Sequence, residues 1–357
     1  MFIKEDESGK VIILVYVDDL LVTGDSLRIV KETKDKLKQV FKMKDLGELR
    51  YFLGIEFARS DQGILMHQRK YTLEIISETG LSSSKPAATP MDTNVKLTTK
   101  QLDEYIRLRN SGKFNSNDQL ADQGAYQRLI GKLLYLTVTR PDIAFGVNTL
   151  SQFLQQPKKS HMEAALRIVR YVKNQPGLGV LLSSNKNTTL TAYCDSDWAS
   201  CPHTRRSVTG YLVKFGDSLL TWKSKKQTTI SKSSAEAEYR SMAATVSELI
   251  WIIGLMKELG VNLKLPVDIY SDSKAAIQIA ANPVYHERTK HIEIDCHFIR
   301  GKIDKGLVAT RYISTKDQPA DLLTKGLNTV QHLYLNSKLG TCNIFTLPSL
   351  RGSVESN

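Results

Sequence analysis

Four carboxylates in the second half of this 357-residue chain stand where acidic groups can do chemistry. Asp195 closes an alternating run in which Leu190, Ala192 and Cys194 share one face and Thr191, Tyr193 and Asp195 the other. Asp272 closes a second apolar run, 267–272, just ahead of a helical pattern at 274–281. Sites in open α/β sheets gather at the carboxyl ends of strands, so two aspartates placed this way can meet. Glu238 falls in the first turns of a long helical stretch. Asp321 falls in the first turn of the last one, entered through Pro319. A single aspartate at a strand end is more often a helix cap or a turn residue. Four brought together repel one another and persist only where cations neutralise them. Oxygen-only donors suit Mg²⁺ or Mn²⁺ rather than zinc. Two such ions roughly 3.5–4 Å apart can hold the attacking water and the leaving oxygen of an in-line phosphodiester displacement.

The elements that must position these groups are strand-rich from about residue 188. Strands at 210–215 and 219–222 flank a Gly216-Asp217 turn, a hairpin signal. Ser233-Ser234-Ala235-Glu236 reads as a capping box, which gives Glu236 a structural role and leaves Glu238 for chemistry. Tyr239, Met242, Val246, Leu249 and Ile253 then stripe one helix, and Ile292, Cys296, Ile299 and Ile303 stripe another. A last strand is expected at 307–314, and the tail after about residue 335 is expected to be loose.

Ahead of this region the pattern differs. The run 11–17 is β-branched and apolar, Asp18-Asp19 interrupts it and Leu20-Leu21-Val22 resumes it, a hairpin followed by a helix at about 26–41. Short strands are expected at 51–58 and 63–67. Ser82-Ser83-Ser84-Lys85-Pro86 and Thr89-Pro90 mark a boundary. Residues 92–125 are polar and read as a long loop. Leu129, Leu133, Leu136, Val147, Leu150 and Phe153 then recur at helical spacing, as do Ala164, Ile168 and Tyr171.

The chain carries 49 basic and 37 acidic residues, a net charge of +12. That excess favours a polyanionic partner, although charge alone equally describes a solvated basic surface. The four cysteines form no CxxC pair, which speaks for reduced thiols in an intracellular compartment, cytoplasm or nucleus alike. The acidic start at Glu5, Asp6 and Glu7 is not that of a signal peptide, and no apolar run reaches membrane length. His286, His291 and His297 lack companions at zinc spacing and read as packing or hydrogen-bonding groups. Oligomeric state is not legible.

Several motifs in order carry a resemblance. Tyr193-Cys194-Asp195-Ser196-Asp197-Trp198, Arg205-Arg206-Ser207-Val208-Thr209-Gly210-Tyr211 and Trp222-Lys223-Ser224-Lys225-Lys226-Gln227 come first. Ser234-Ala235-Glu236-Ala237-Glu238-Tyr239, the segment 282–292 and Gln318-Pro319-Ala320-Asp321-Leu322-Leu323-Thr324-Lys325 follow. Together they resemble the ribonuclease H domain of copia-type LTR retrotransposon polyproteins. Tyr16-Val17-Asp18-Asp19, the segment 46–55 and the segment 126–143 resemble the end of that family's reverse transcriptase.

The resemblance implies an α/β fold: a ribonuclease H-like mixed sheet with flanking helices at 188–330, preceded by a truncated reverse-transcriptase palm at 1–85 and a helical thumb or connection at 86–185, with a loose tail at 336–357. It implies hydrolysis of the RNA strand of RNA–DNA hybrids with two Mg²⁺ or Mn²⁺ ions held by Asp195, Glu238, Asp272 and Asp321. Arg205, Arg206, Lys223, Lys225, Lys226 and Lys232 become candidate phosphate contacts. The family usually has Asn after the third aspartate, where this chain has Ser273, and Ile313-Ser314-Thr315-Lys316 lacks the mobile histidine of cellular ribonucleases H. Asp18 and Asp19 imply a vestigial polymerase site. The family's third polymerase carboxylate lies more than a hundred residues earlier, and only seventeen residues precede Asp18, so no polymerase activity is expected. The alternative is a catalytically silent nucleic-acid-binding remnant.

Overall fold

The apolar, β-branched run at the start of the chain pairs with sequence on both sides of it. In the computed structural model, which describes residues 1–7, 9–109, 118–281 and 292–346, the chain divides into two compact units, Met1–Phe57 and Ala58–Asn357. In the first, β1 (Phe2–Asp6), β2 (Gly9–Tyr16) and β3 (Asp19–Gly24) form an antiparallel meander. Tyr16 pairs with Asp19, so Val17 and Asp18 are a two-residue loop, and Val17 takes a φ of 50° there. Charged residues at 4–6 obscure β1 in the sequence. Helix α1 (Leu27–Val40) starts on Ser26, whose hydroxyl accepts from the Arg28 N–H at 3.2 Å. The short β4 (Tyr51–Phe52) pairs with the start of β5 (Ile55–Ser60).

The second unit continues with β6 (Gly63–His67), α2 (Arg69–Glu78), α3 (Lys100–Arg109), α4 (Gln123–Leu136), α5 (Ala144–Ser151) and α6 (Lys159–Val172). Tyr126, Ile130, Leu133, Ile143, Val147 and Ile168 are fully buried among these helices. The long loop expected at 92–125 contains a helix, α3. Its sequence is polar because one side faces solvent; Asp103 accepts an ion pair from Lys158 at 2.6 Å, and Leu102 and Ile106, four residues apart, are half-buried.

The third part of this unit is a mixed sheet. β7 (Leu178–Ser183) precedes it and pairs with β6. Then β8 (Leu190–Asp197), β9 (Val208–Phe215), β10 (Ser218–Lys226), α7 (Ser234–Glu258), β11 (Val267–Ser271), α8 (Lys274–Ala281), α9 (Glu293–Asp304) and β12 (Val308–Tyr312) follow. The sheet order is β10-β9-β8-β11-β12, with the first three antiparallel and β8, β11 and β12 parallel. Period-two alternation sorts its faces. Leu190, Ala192, Cys194, Tyr211 and Val213 pack under α7, α8 and α9, while Leu212 and Leu219 meet Ala144, Leu322 and Leu335 on the other side.

The tail departs from expectation. Helix α10 (Thr329–Ser337) and the strand β13 (Thr341–Asn343), which pairs with β7, are built into the unit, and Leu339 is fully buried. Apolar anchors at Leu335 and Leu339 outweigh the polar composition. Residues 347–357, and with them the end of the expected loose tail, lie outside the described residues, as do His286, His291 and most of the 282–292 motif.

One buried charge network ties α10 to the helices. Arg140 donates to both Asp142 oxygens at 2.9 and 2.7 Å and to the Gln175 carbonyl at 3.1 Å. The Tyr171 hydroxyl donates to Asp142 Oδ2 at 2.8 Å and accepts from His332 Nε2 at 2.8 Å. A guanidinium stripped of water is tolerable only while its carboxylate is present. Asp142→Ala should therefore destabilise the protein by about 3–5 kcal/mol. Chemical denaturation measures this, and a loss below about 1 kcal/mol would contradict the assignment.

Candidate active site

Three elements far apart in sequence deliver carboxylates to the carboxyl end of the parallel strands. Asp195 comes from β8, Glu238 from the second turn of α7 and Asp272 from the residue after β11. One oxygen of each lies within 4.8 Å of the others. Helix α7 can bring Glu238 there because Ser233 Oγ accepts from the Glu236 N–H at 3.2 Å and fixes its first turn. The Glu236 carboxylate reaches back to the Lys232 N–H at 2.8 Å and pairs with Arg240, a capping arrangement that keeps it away from Glu238.

Asp321 approaches from a separate element. A short 3₁₀ turn, Pro319–Leu323, replaces the α-helix expected there, and the Lys325 ammonium pairs with Asp321 at 3.0 Å. The pK of Asp195 is raised by burial, and that of Asp321 is pushed up to about 7 by burial and by Asp195. Burial first, then Asp195 and Asp272, push Glu238 up to about 9. Glu238 Oε2 is buried with no hydrogen-bond partner among the described residues. An orphaned oxygen beside two aspartates, in an all-oxygen donor set, fits a hard divalent cation.

The supporting residues were not legible as such in the sequence. Gln318 is fully buried; its Nε2 donates to the Cys194 carbonyl at 3.0 Å and the Tyr270 carbonyl at 3.4 Å, and its Oε1 accepts from the Ala320 N–H at 3.3 Å. One side chain thus pins β8, β11 and the turn carrying Asp321. Thr324 Oγ1 donates to Asp195 Oδ2, and Thr315 Oγ1 donates to Asp272 Oδ2 at 2.7 Å. Ser241 Oγ holds the Asp195 carbonyl at 2.8 Å. Gly210, paired with Asp195, is required for close approach: a Cβ there would stand 2.5 Å from Thr324 Cγ2 and 2.9 Å from Leu323 Cβ. Only the clustering of polar residues in the Gln318–Lys325 motif hinted at this set.

The other sequence candidates are dispersed. Lys223 and Lys225 are exposed on one face of the edge strand β10, and Lys223 lies 6.0 Å from the Tyr211 ring centroid. They line a groove of about 630 Å³ with Arg240 and Trp251. Lys226 is half-buried and donates to Gln152 Oε1 at 2.7 Å. Arg205 and Lys232 are exposed and Arg206 half-buried. His297 is on α9 with its Nε2 4.0 Å from Glu293 Oε1 and is not among the residues of the carboxylate group. Asp18 and Asp19 lie exposed at the β2–β3 turn in the other unit. Among the described residues no helix is long and apolar enough to cross a membrane.

Sheet order and carboxylate placement define a mixed α/β module with an acidic site at the carboxyl ends of its parallel strands. Residues 1–93 match the reverse transcriptase (RNA-dependent DNA polymerase) family. The chain is 40% identical over 344 residues to the retrovirus-related Pol polyprotein from transposon RE2 of Arabidopsis thaliana, covering 96% of this chain and 23% of the relative. It is 32% identical to the putative transposon Ty5-1 protein YCL074W of Saccharomyces cerevisiae, covering 70% of this chain and 77% of that one. The crystal structure of LC11-RNase H1 in complex with RNA/DNA hybrid aligns at 13% identity and a TM-score of 0.29, over 38% of this chain and 93% of that chain. The chain belongs to the copia-type retrotransposon Pol family. It spans less than a quarter of the length of the RE2 and RE1 polyproteins, 23% and 22%.

The crowded carboxylates set a pH dependence. Glu238 and Asp321 titrate above the ordinary carboxylate range of roughly 4, so the metal-free folded state holds protons that the unfolded chain has released. Their contribution is full below pH about 4 and is lost as pH rises through about 7 and about 9. Glu238→Gln should therefore stabilise the protein in chelator at pH 8 by on the order of 1–3 kcal/mol and flatten its loss of stability above pH 5. Melting curves from pH 5 to 9 measure this; parallel curves for parent and variant would contradict it.

Proposed function

We propose that the 188–330 region cleaves the RNA strand of RNA–DNA hybrids by metal-dependent phosphodiester hydrolysis. The observation that supports this reading most is the meeting of Asp195, Glu238 and Asp272 from three elements within 4.8 Å. Asp195, Glu238, Asp272 and Asp321 are the residues that would hold two divalent ions, Mg²⁺ or Mn²⁺. Such ions supply an activated water and neutralise charge at the scissile phosphate.

The chain's own residues have separate tasks in this reading. Thr324 and Ser241 keep Asp195 in one rotamer and one backbone position. Thr315 fixes the outer oxygen of Asp272. Gln318 keeps β8, β11 and the 3₁₀ turn in register, so the four carboxylates hold their spacing before substrate arrives. That preorganisation matters because small misplacements at a reacting centre cost large factors in rate. Lys223 and Lys225 on β10, with Arg205, Arg206 and Lys232 on the loops, provide phosphate contacts that read backbone rather than sequence. Lys226 is already engaged by Gln152 and contributes less.

Two measurements test the reading. A labelled RNA–DNA hybrid should be cut by the purified chain in Mg²⁺ or Mn²⁺, and Asp195→Asn should lower the rate by about a thousandfold or more, several kcal/mol of transition-state stabilisation. Cleavage unchanged in that variant, or hybrid binding without cleavage in either metal, would refute it. Separately, Lys223→Ala with Lys225→Ala should weaken hybrid binding uniformly across sequences and reduce the salt slope by about 1 per lysine removed. An unaltered slope would remove these lysines from the interface.

A further inference from the structure

The carboxylates of the site differ in what stands beside them. One group is formed by Asp195, Glu238 and Asp272, whose oxygens approach within 4.8 Å of one another. At Asp321, outside that group, an ammonium belonging to the chain already stands beside the carboxylate. Lys325 Nζ lies 3.0 Å from Asp321 Oδ1, and Asp321 itself is only 4% exposed in its side chain. Asp321 is four residues before Lys325, so the 3₁₀ turn and the residues after it carry the acid and its counter-charge together.

Resting on the nuclease reading above, we infer that Lys325 is a resident counter-cation for the second metal position. One divalent ion binds directly to the Asp195–Glu238–Asp272 set, and a second reaches Asp321 only by displacing the Lys325 ammonium.

The physical reason is exclusion. A Mg²⁺-sized ion needs its oxygens at about 2.0–2.1 Å in an octahedral shell. Asp321 Oδ1 cannot present its charge to such an ion while an ammonium holds it at 3.0 Å, because a monovalent and a divalent cation a few ångströms apart repel strongly in a part-buried site. The Thr324 hydroxyl, donating to Asp195 Oδ2, further occupies the Asp195 oxygen on that side. Neither Glu238 Oε2 nor Asp321 Oδ1 accepts a hydrogen bond among the described residues, but only Asp321 Oδ1 has an ammonium against it, an ion pair at 3.0 Å. The two ions should therefore bind in order, the first tightly and the second weakly.

Mn²⁺ titration of the full chain without substrate, read by the EPR signal of the free ion, counts the bound ions directly. The parent should bind one Mn²⁺ and then a second with an affinity at least about tenfold weaker, a difference of about 1.4 kcal/mol. Lys325→Met should bring the second constant to within a few-fold of the first. Lys325→Arg, which keeps the charge, should follow the parent, and far-UV circular dichroism of each variant confirms that the fold is kept. A Lys325→Met isotherm identical to the parent, or a Lys325→Arg isotherm like that of Lys325→Met, would overturn the inference. Asp272→Asn separates it from the reading beneath it: that variant should lose the first ion. If the parent binds no Mn²⁺ that Asp272→Asn removes, the nuclease reading fails as well. If Asp272→Asn removes an ion and Lys325→Met changes nothing, only the role of Lys325 falls.

Discussion

Mutual repulsion among carboxylates at the edge of a sheet is the constraint that organises the second unit. Asp195, Glu238 and Asp272 are held closer than their charges favour, and Asp195 and Glu238 are buried as well. Desolvation and like charge both favour the protonated acids, and Glu238 and Asp321 respond as that predicts. A fold keeps such a cluster only if the surrounding framework is rigid enough to resist its relaxation. Here the resistance comes from a capped 25-residue helix, two parallel strands and a 3₁₀ turn pinned by one glutamine.

Gln318 shows how little machinery this takes. Its amide bridges two strand carbonyls, and its carbonyl caps the turn that follows. Each bond alone contributes on the order of 1 kcal/mol. Their joint effect is geometric, since they fix the relative positions of three chain segments that share no covalent constraint. Gly210 does the complementary work by absence, letting Thr324 and Leu323 lie against β9 where any side chain would push the Asp321 turn outward. The buried Arg140–Asp142–Tyr171–His332 network anchors α10 behind that turn, so the helical region and the sheet support the site from two sides.

Much of this arrangement is legible in the sequence because strand alternation and carboxylate spacing are local signals. Leu190, Ala192 and Cys194 alternate with Asp195, and the sheet places them as that pattern demands. The supports were harder to see. Gln318, Thr315 and Thr324 act across 43 to 129 residues of sequence, and nothing in the composition around them marks such reach. Helix α3 is not marked in its own residues because the partner of its Asp103, Lys158, lies 55 residues away. The β1 and β13 strands were hidden for a related reason: short, polar-flanked strands declare themselves only through their partners, β2 and β7.

The central claim is that these acids form a cation site rather than a coincidental acidic cluster. Crystals soaked in Mn²⁺ test it most directly through the anomalous scattering of the ion. The account predicts a strong anomalous peak within about 2.5 Å of oxygens from Asp195, Glu238 and Asp272 together. A map with no peak there, or with Mn²⁺ bound only elsewhere on the surface, would contradict it.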